Sequence, residues 1–159
     1  MNDPDKDPRS KFVSRLITYA GLLRRPMTLG VRGLVVDAGG QVFLVRHTYI
    51  QGWFLPGGGV ERGETLEQSL ARELAEEGNI EILGTPLLHG VYLNRATSPR
   101  DHVALYVVRD FRQIAPHTPD NEIAESGFFA PDALPLGATR STRARIAEAL
   151  AGAPLSAYW

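Results

Sequence analysis

Apolar and polar residues follow two periods along this chain, and each period predicts one kind of element. Alternation with a period of two, or a short apolar run, predicts strands at residues 29–36, 41–46, 53–55, 80–83, 88–94, 102–109 and 128–129. Apolar positions three or four residues apart predict helices at residues 11–25, 65–77 and 139–151. Strands on either side of the middle helix, followed by a late helix, predict an α+β fold with a mixed β-sheet between helices.

Two turns divide the predicted strands. Residues 37–40, Asp-Ala-Gly-Gly, predict a hairpin turn between the first two strands. In the second strand, Val42, Leu44 and Arg46 lie on one face, and Phe43 and Val45 lie on the other. Residues 131–135, with a proline at each end, predict a turn before the last helix.

The helix predicted at residues 65–77 carries acidic residues in an unusual place. Thr65 and Gln68 form a capping box that starts the helix. On a helical wheel with about 100° per residue, the leucines at 66, 70 and 74 form an apolar stripe from about 0° to 80°. Three glutamates lie beside or within this stripe: Glu73 at about 340°, Glu76 at about 280° and Glu77 at about 20°.

Three carboxylates beside a packed face repel one another and lose solvation unless a positive charge lies among them. Their spacing of i, i+3 and i+4 places all three on adjoining turns, where they can converge on an ion. Ligation by carboxylates favours a hard cation such as Mg²⁺, with Mn²⁺ as a substitute. Such an ion at a phosphate would favour hydrolysis of a phosphoanhydride bond.

The residues around this helix resemble the signature of the Nudix hydrolases, G-x5-E-x7-R-E-U-x-E-E-x-G-U, in which U is aliphatic. Eight positions are in register: Gly58, Glu64, Arg72, Glu73, Leu74, Glu76, Glu77 and Ile80. Asn79 stands where the family has glycine. We expect this change to be mild, because asparagine tolerates the left-handed conformation of a helix end better than most residues.

The resemblance implies a Nudix-type α/β/α sandwich and assigns roles to individual residues. Glu73, Glu76 and Glu77 match the metal-binding glutamates, and Arg72 matches the residue that orients them. This signature, residues 58–80 of the chain, is called the Nudix box. Glu64 matches the position of the box that supports the loop or an outer ion. In the family, a backbone carbonyl just before the box also contacts the metal, and here that residue is Gly57. Glycine there lets the backbone approach an ion closely.

Outside the box, the sequence offers further candidates, each with a simpler alternative. Glu122, six residues before Phe128, is similar in position to a family acidic residue that binds metal or acts as general base; a solvated loop carboxylate is the alternative. Arg46 and His47 end a strand near the glycines and are candidates to bind substrate phosphates, or they cap the strand in solvent. Trp53 is a candidate to stack on a base, or it lines the core.

Composition is consistent with a one-domain enzyme and excludes other classes. A net charge of −1 argues against a protein with a broad nucleic-acid surface. The absence of cysteine excludes disulfides and zinc-thiolate sites. The polar first eleven residues predict no signal peptide, and arginines between positions 15 and 32 interrupt every candidate membrane span. We therefore expect a cytoplasmic protein.

The chain divides into three predicted parts. Residues 1–27 form a polar arm and an amphipathic helix at 11–25, residues 28–152 form the Nudix hydrolase domain, and residues 153–159 form a C-terminal tail. The arm helix packs on its own domain, or it contacts a membrane surface or a second subunit, which leaves a homodimer open.

Three functions from different classes remain to be distinguished. The intact glutamate trio and Arg72 favour a metal-dependent hydrolase that cleaves a small nucleotide, in which a nucleoside diphosphate is linked to another group. The alternatives are a catalytically silent nucleotide-binding module with the same fold, and a structural protein that acts through the arm helix. The accessory sequences of the family branches that cleave NADH and coenzyme A are absent, which argues against these two substrates.

Overall fold

The computed structural model describes residues 26–159, and this part of the chain folds into seven strands and two helices. The helix predicted at residues 11–25 lies outside the described residues. The elements in chain order are β1 (Thr28–Val35), β2 (Val42–His47), α1 (Leu66–Gly78), β3 (Ile80–Ile82), β4 (Leu87–Leu93), β5 (Asp101–Val108), β6 (Phe111–Gln113), β7 (Ile123–Phe129) and α2 (Arg140–Ala151).

The strands are arranged in three sheets. The largest is mixed, with order β1-β5-β4, in which β1 and β5 are parallel and β5 and β4 are antiparallel. The antiparallel pair β2 and β7 forms a second sheet, and β3 and β6 form a third. The predicted hairpin turn is present, because Gly40 N–H donates to Asp37 O at 3.0 Å. After one bridge between Val36 and Val42, however, β1 and β2 diverge into different sheets.

Both faces of the central strands are buried, and each faces a different helix. The core beneath α1 takes alternate residues of β1 and β2 together with the leucines of the helix: Val31, Val35, Phe43, Val45, Leu70 and Leu74. The core beneath α2 takes the intervening residues and one helix residue: Leu34, Val36, Val42, Leu44 and Ile146. The strands therefore lie between two helices, which confirms the predicted α+β fold.

The box helix α1 begins and ends through local interactions that the sequence specifies. Thr65 Oγ1 accepts from the Gln68 N–H at 3.2 Å, and the Gln68 side chain accepts from the Thr65 N–H at 2.9 Å. At the other end, Asn79 has φ 52° and ψ 36°, the left-handed conformation expected of the family glycine. Gly33 lets the helix pack directly on β1, since a Cβ there would lie 3.0 Å from Cδ2 of Leu74.

Two predicted elements differ from the structure, and one observed strand has no predicted counterpart. Strand β7 begins at Ile123, five residues before the predicted strand, because its polar residues and Gly127 hid the apolar alternation. Residues 53–55 form two isolated bridges, with Ala138 and Val45, in place of a paired strand. The short strand β6 was not predicted from the sequence. It pairs with β3 just after α1.

Residues 153–159 pack back onto the domain. The Trp159 N–H donates to Leu93 O at 3.2 Å, and the Trp159 ring contacts Tyr92 edge-on, with 5.6 Å between centroids. Beneath this contact, Arg145 Nη2 donates to Glu148 Oε1 at 2.6 Å, and the Tyr92 hydroxyl donates to Glu148 Oε2 at 3.0 Å. Within residues 26–159, no helix is both long and apolar enough to cross a bilayer.

Candidate active site

Residues 56–59, the glycine segment, precede α1 and lie along β1. This segment brings the backbone close to the helix. The Val31 N–H donates to Gly58 O at 2.9 Å, and the Gly33 N–H donates to Pro56 O at 2.9 Å. Gly57 has φ 134°, and a Cβ there would overlap the Val31 carbonyl oxygen. Only glycine fits this position, because any side chain would displace the segment from β1.

Glu77 projects from α1 into this segment and is almost fully buried, with 4% of its surface exposed. Its Oε2 accepts a hydrogen bond of 2.7 Å from the Gly57 N–H. Burial raises the pKa of Glu77 to about 7; the Gly57 hydrogen bond and Arg32 act in the opposite direction, and Glu73 adds to the rise. A buried carboxylate with so little compensation is a strong site for a cation.

Arg72 binds the other acidic residues of the box. Its guanidinium holds Glu64 with two bonds, Nε to Oε1 at 2.8 Å and Nη2 to Oε2 at 3.0 Å. Its Nη1 donates to Glu73 Oε1 at 2.7 Å and approaches Glu76 Oε2 at 3.4 Å. The Arg72 hydrogen bonds lower the pKa of Glu64 to about 2, so this carboxylate is ionised throughout the neutral range. The network fixes the side chain of Glu73.

The three metal-type glutamates differ in exposure. Glu77 is buried, the side chain of Glu73 is 13% exposed, and that of Glu76 is 61% exposed. Glu73 also lies against the glycine segment, because a Cβ on Gly58 would be 2.5 Å from Glu73 Oε1. Glu77 and Glu73 thus face the glycines, and Glu76 lies at the solvent edge. This gradient follows the helical wheel, on which Glu77 is nearest the apolar stripe.

Two groups from distant parts of the chain reach Glu77 from the opposite side. His47, at the end of β2, places Nε2 3.7 Å from Glu77 Oε1. Glu122, just before β7, completes a group of three in which one ligand atom from each residue lies within 4.8 Å of the others. Burial and the Arg32 charge lower the pKa of His47, so its ring is neutral at pH 7.

The loop after β2 forms an open depression of about 390 Å³ beside this group, lined by residues 46–52. Tyr49 and Ile50 are its exposed apolar side chains, and the Tyr49 ring lies 5.1 Å from that of His47. Arg46 also lines it, and its Nη2 forms an ion pair of 2.9 Å with Glu125 Oε2. A flat ligand group next to the carboxylates would have room here.

Trp53 lies elsewhere. It is 7% exposed and packs in the core beneath α2, where its ring meets that of Phe129 edge-on, with 4.9 Å between the ring centroids. The carboxylates lie on the α1 side of the strands. Among the predicted site residues, the structure therefore brings Glu64, Arg72, Glu73, Glu77, Gly57, Gly58, His47 and Glu122 together. Glu76 lies at the solvent edge of this group, and Trp53 lies apart from it, with the Arg46 guanidinium 5.9 Å from the centroid of the Trp53 ring.

Arg32 is a site residue that the sequence analysis missed. Its Nη1 donates to Leu55 O at 3.0 Å, and its charge lowers the pKa values of both Glu77 and His47. The available signal was an arginine inside the apolar strand β1, between Val31 and Leu34. A charged residue in such a run is rarely buried without a partner.

The described residues fit a divalent cation. Around Glu77 they offer oxygen ligands, and a buried carboxylate with a raised pKa gains most from a positive neighbour. The carbonyls of Pro56, Gly58 and Gly59 all accept hydrogen bonds. Within residues 26–159, the Gly57 carbonyl accepts none, so it is free for an ion. Hard oxygen donors of this kind suit Mg²⁺ or Mn²⁺.

Comparison with solved structures gives related folds. The chain is similar to a MutT NUDIX hydrolase from Burkholderia pseudomallei, with 26% identity, 75% of this chain and 95% of that chain covered, and a TM-score of 0.64. An ADP-ribose pyrophosphatase from Streptococcus suis has 24% identity, 77% and 90% coverage, and a TM-score of 0.58. A UDP-X diphosphatase has 21% identity, 96% and 85% coverage, and a TM-score of 0.60. The last two likenesses show the fold alone.

Among curated proteins, none matches this chain significantly. A family model described as the NUDIX domain matches residues 26–150, which include every strand and almost all of α2. The match contains the glycine segment, the box helix and Glu122. Because this family model covers most of the chain, the chain belongs to the Nudix hydrolase family and is a pyrophosphohydrolase.

Proposed function

We propose that this protein is a Mg²⁺-dependent hydrolase that cleaves the phosphoanhydride bond of a nucleoside diphosphate linked to another group, with Mn²⁺ as a substitute ion. The observation that carries the proposal is the buried Glu77 carboxylate, held by the Gly57 amide and faced by further carboxylates. The products are a nucleoside monophosphate and the phosphorylated second group, or the equivalent pair from a triphosphate.

The chain's own residues have distinct tasks in this reaction. Glu73, Glu76, Glu77 and the Gly57 carbonyl would hold the cation, and Arg72 fixes the side chain of Glu73 for this role. When bound, the cation neutralises charge on the diphosphate and makes a nearby water more acidic. Glu122 takes the proton that this water loses as it attacks phosphorus and the P–O bond of the anhydride breaks.

Glu122 is suited to this task by its surroundings. Asp120 Oδ1 accepts from the Glu122 N–H at 2.8 Å, and Thr48 N–H donates to Glu122 O at 2.9 Å. The backbone is therefore fixed, and within the described residues the Glu122 carboxylate accepts no hydrogen bond. One oxygen can face the cation while the other faces water. Glu125, the next carboxylate along the chain, is instead bound by Arg46.

Substrate recognition is assigned to the depression beside His47. The Arg46 side chain is 43% exposed and can exchange its ion pair with Glu125 for a phosphate. Tyr49 offers an aromatic face to a base. Two of the similar structures are named as an ADP-ribose pyrophosphatase and a UDP-X diphosphatase, and both names contain a nucleoside diphosphate joined to another group. Small nucleotides of this class are the substrates that we propose.

Product release from a substrate panel tests this function. The panel contains nucleoside triphosphates, nucleotide sugars, ADP-ribose, dinucleotide polyphosphates and triphosphorylated RNA, each with Mg²⁺ or Mn²⁺. We expect cleavage of one class, and Glu77→Gln should lower its kcat by at least about a hundredfold, because a metal ligand is lost. Glu81→Gln is the matched control, since Glu81 is exposed on β3 and pairs with Arg112. No cleavage by a protein that binds metal would favour the binding module.

A second pair of variants tests the proton acceptor. Glu122→Gln should lower kcat on the cleaved substrate by at least about a hundredfold, because amide oxygen is a far weaker base than carboxylate. Glu125→Gln should stay within about threefold of wild type, since exposed ion pairs contribute little. Steady-state kinetics over pH 6–9 measures both. Equal losses in the two variants would reject Glu122 as the proton acceptor.

Stability of the metal-free protein tests the state of Glu77. Its pKa is about 7 in the folded chain, above the ordinary 4.5, so between these pH values the folded state binds a proton that the unfolded state releases. The free energy of unfolding should therefore fall as pH rises from 5 to 8, by on the order of 2 to 3 kcal/mol. Urea titrations in EDTA measure it. An equal fall in Glu77→Gln would contradict the assignment, and saturating Mg²⁺ should restore stability at pH 8.

A further inference from the structure

Among residues 26–159, the His47 side chain has no hydrogen-bond partner, although it is almost completely buried. It is 7% exposed, and Nδ1 is enclosed without a partner among the described residues. Its Nε2 lies 3.7 Å from Glu77 Oε1, which is too long for a hydrogen bond. A polar ring buried in this way loses its hydration and recovers no hydrogen bond from residues 26–159. Its nitrogen atoms can therefore bind a ligand.

The backbone aims this ring at the carboxylates. The pairing of β2 with β7 shifts between Arg46, opposite Glu125, and His47, opposite Ile123, so β7 carries one extra residue there. Such irregularities re-aim side chains and occur beside active sites. The His47 ring also contacts the rings of Tyr49 and Phe54, with 5.1 Å and 5.8 Å between the ring centroids, and these contacts hold the imidazole in place.

The same strand end fixes the third member of the group. Thr48 follows His47, and its N–H and hydroxyl donate to Glu122 O at 2.9 Å and Asn121 O at 2.6 Å. The ligand atoms of His47, Glu77 and Glu122 all lie within 4.8 Å of one another. Ligands of one ion with bonds of about 2.1 Å are about 3 to 4 Å apart, so small side-chain movements suffice.

We propose that His47 is a direct ligand of the divalent cation, through Nε2, together with Glu77 and Glu122. This inference rests on the proposed function and adds a nitrogen donor to an otherwise oxygen-lined site. Imidazole is a poor ligand for Mg²⁺ and a good one for first-row transition ions. The chain should therefore bind Mn²⁺ more tightly than Mg²⁺, by a margin that depends on His47.

Pulsed electron paramagnetic resonance of Mn²⁺ bound to the full chain tests this contact, because a directly bound imidazole couples its ¹⁴N nucleus to the electron spin. The wild type should show this coupling, and labelling its histidines with ¹⁵N should change it. The coupling should disappear in His47→Gln and persist in His89→Gln, a matched histidine variant on β4. Should His47→Gln fail to fold, His47→Asn and the isotope label decide the question.

Calorimetric titration gives a second readout that needs no substrate. In His47→Gln, the Mn²⁺ affinity should fall by at least about tenfold and the Mg²⁺ affinity should change by less than about threefold. Bound Mn²⁺ without ¹⁴N coupling, coupling that persists in His47→Gln, or equal losses for both ions would overturn the His47 assignment and leave the proposed function standing. Absence of any Mn²⁺ binding by the wild type would overturn both.

Discussion

The hydrogen bond from the Gly57 amide to Glu77 is the contact on which the site depends. It joins the glycine segment to the box helix and places a carboxylate where solvent is excluded. The bond alone does not offset burial, since the pKa of Glu77 stays well above its ordinary value. The folded chain thus keeps a carboxylate that is short of positive charge, and a divalent cation beside it would supply that charge.

The rest of the fold holds these two groups in place. Strand β1 binds the glycine segment on one side and supports α1 at Gly33, so a single strand sets the distance between them. Two buried faces, one beneath each helix, make that strand rigid. Arg72 then neutralises Glu64 and orients Glu73, which keeps the ionised part of the box from repelling itself. Packing and electrostatics act on the same few residues.

Interactions within one element were predictable from the sequence, and those that depend on strand pairing were not. The Thr65 cap, the left-handed Asn79 and the inward-facing Glu73 and Glu77 follow from local rules. His47 and Glu122 are far apart in the sequence, and they come together only through the irregular pairing of β2 with β7. No periodicity encodes such a shift. The position of Trp53 was equally unpredictable. The side of the strands on which it lies depends on its bridge to Ala138, which is distant in the sequence, and not on the residues next to it.

Around Glu77, the structure places the His47 ring, the Glu122 carboxylate and the Gly57 backbone within reach of one another. The most direct test of this account is anomalous diffraction from crystals of the full chain soaked in Mn²⁺. We predict one strong peak between the Gly57 carbonyl and the Glu77 carboxylate, within about 2.3 Å of both oxygens. A peak found only at exposed carboxylates such as Glu76, with none beside Gly57, would contradict the account.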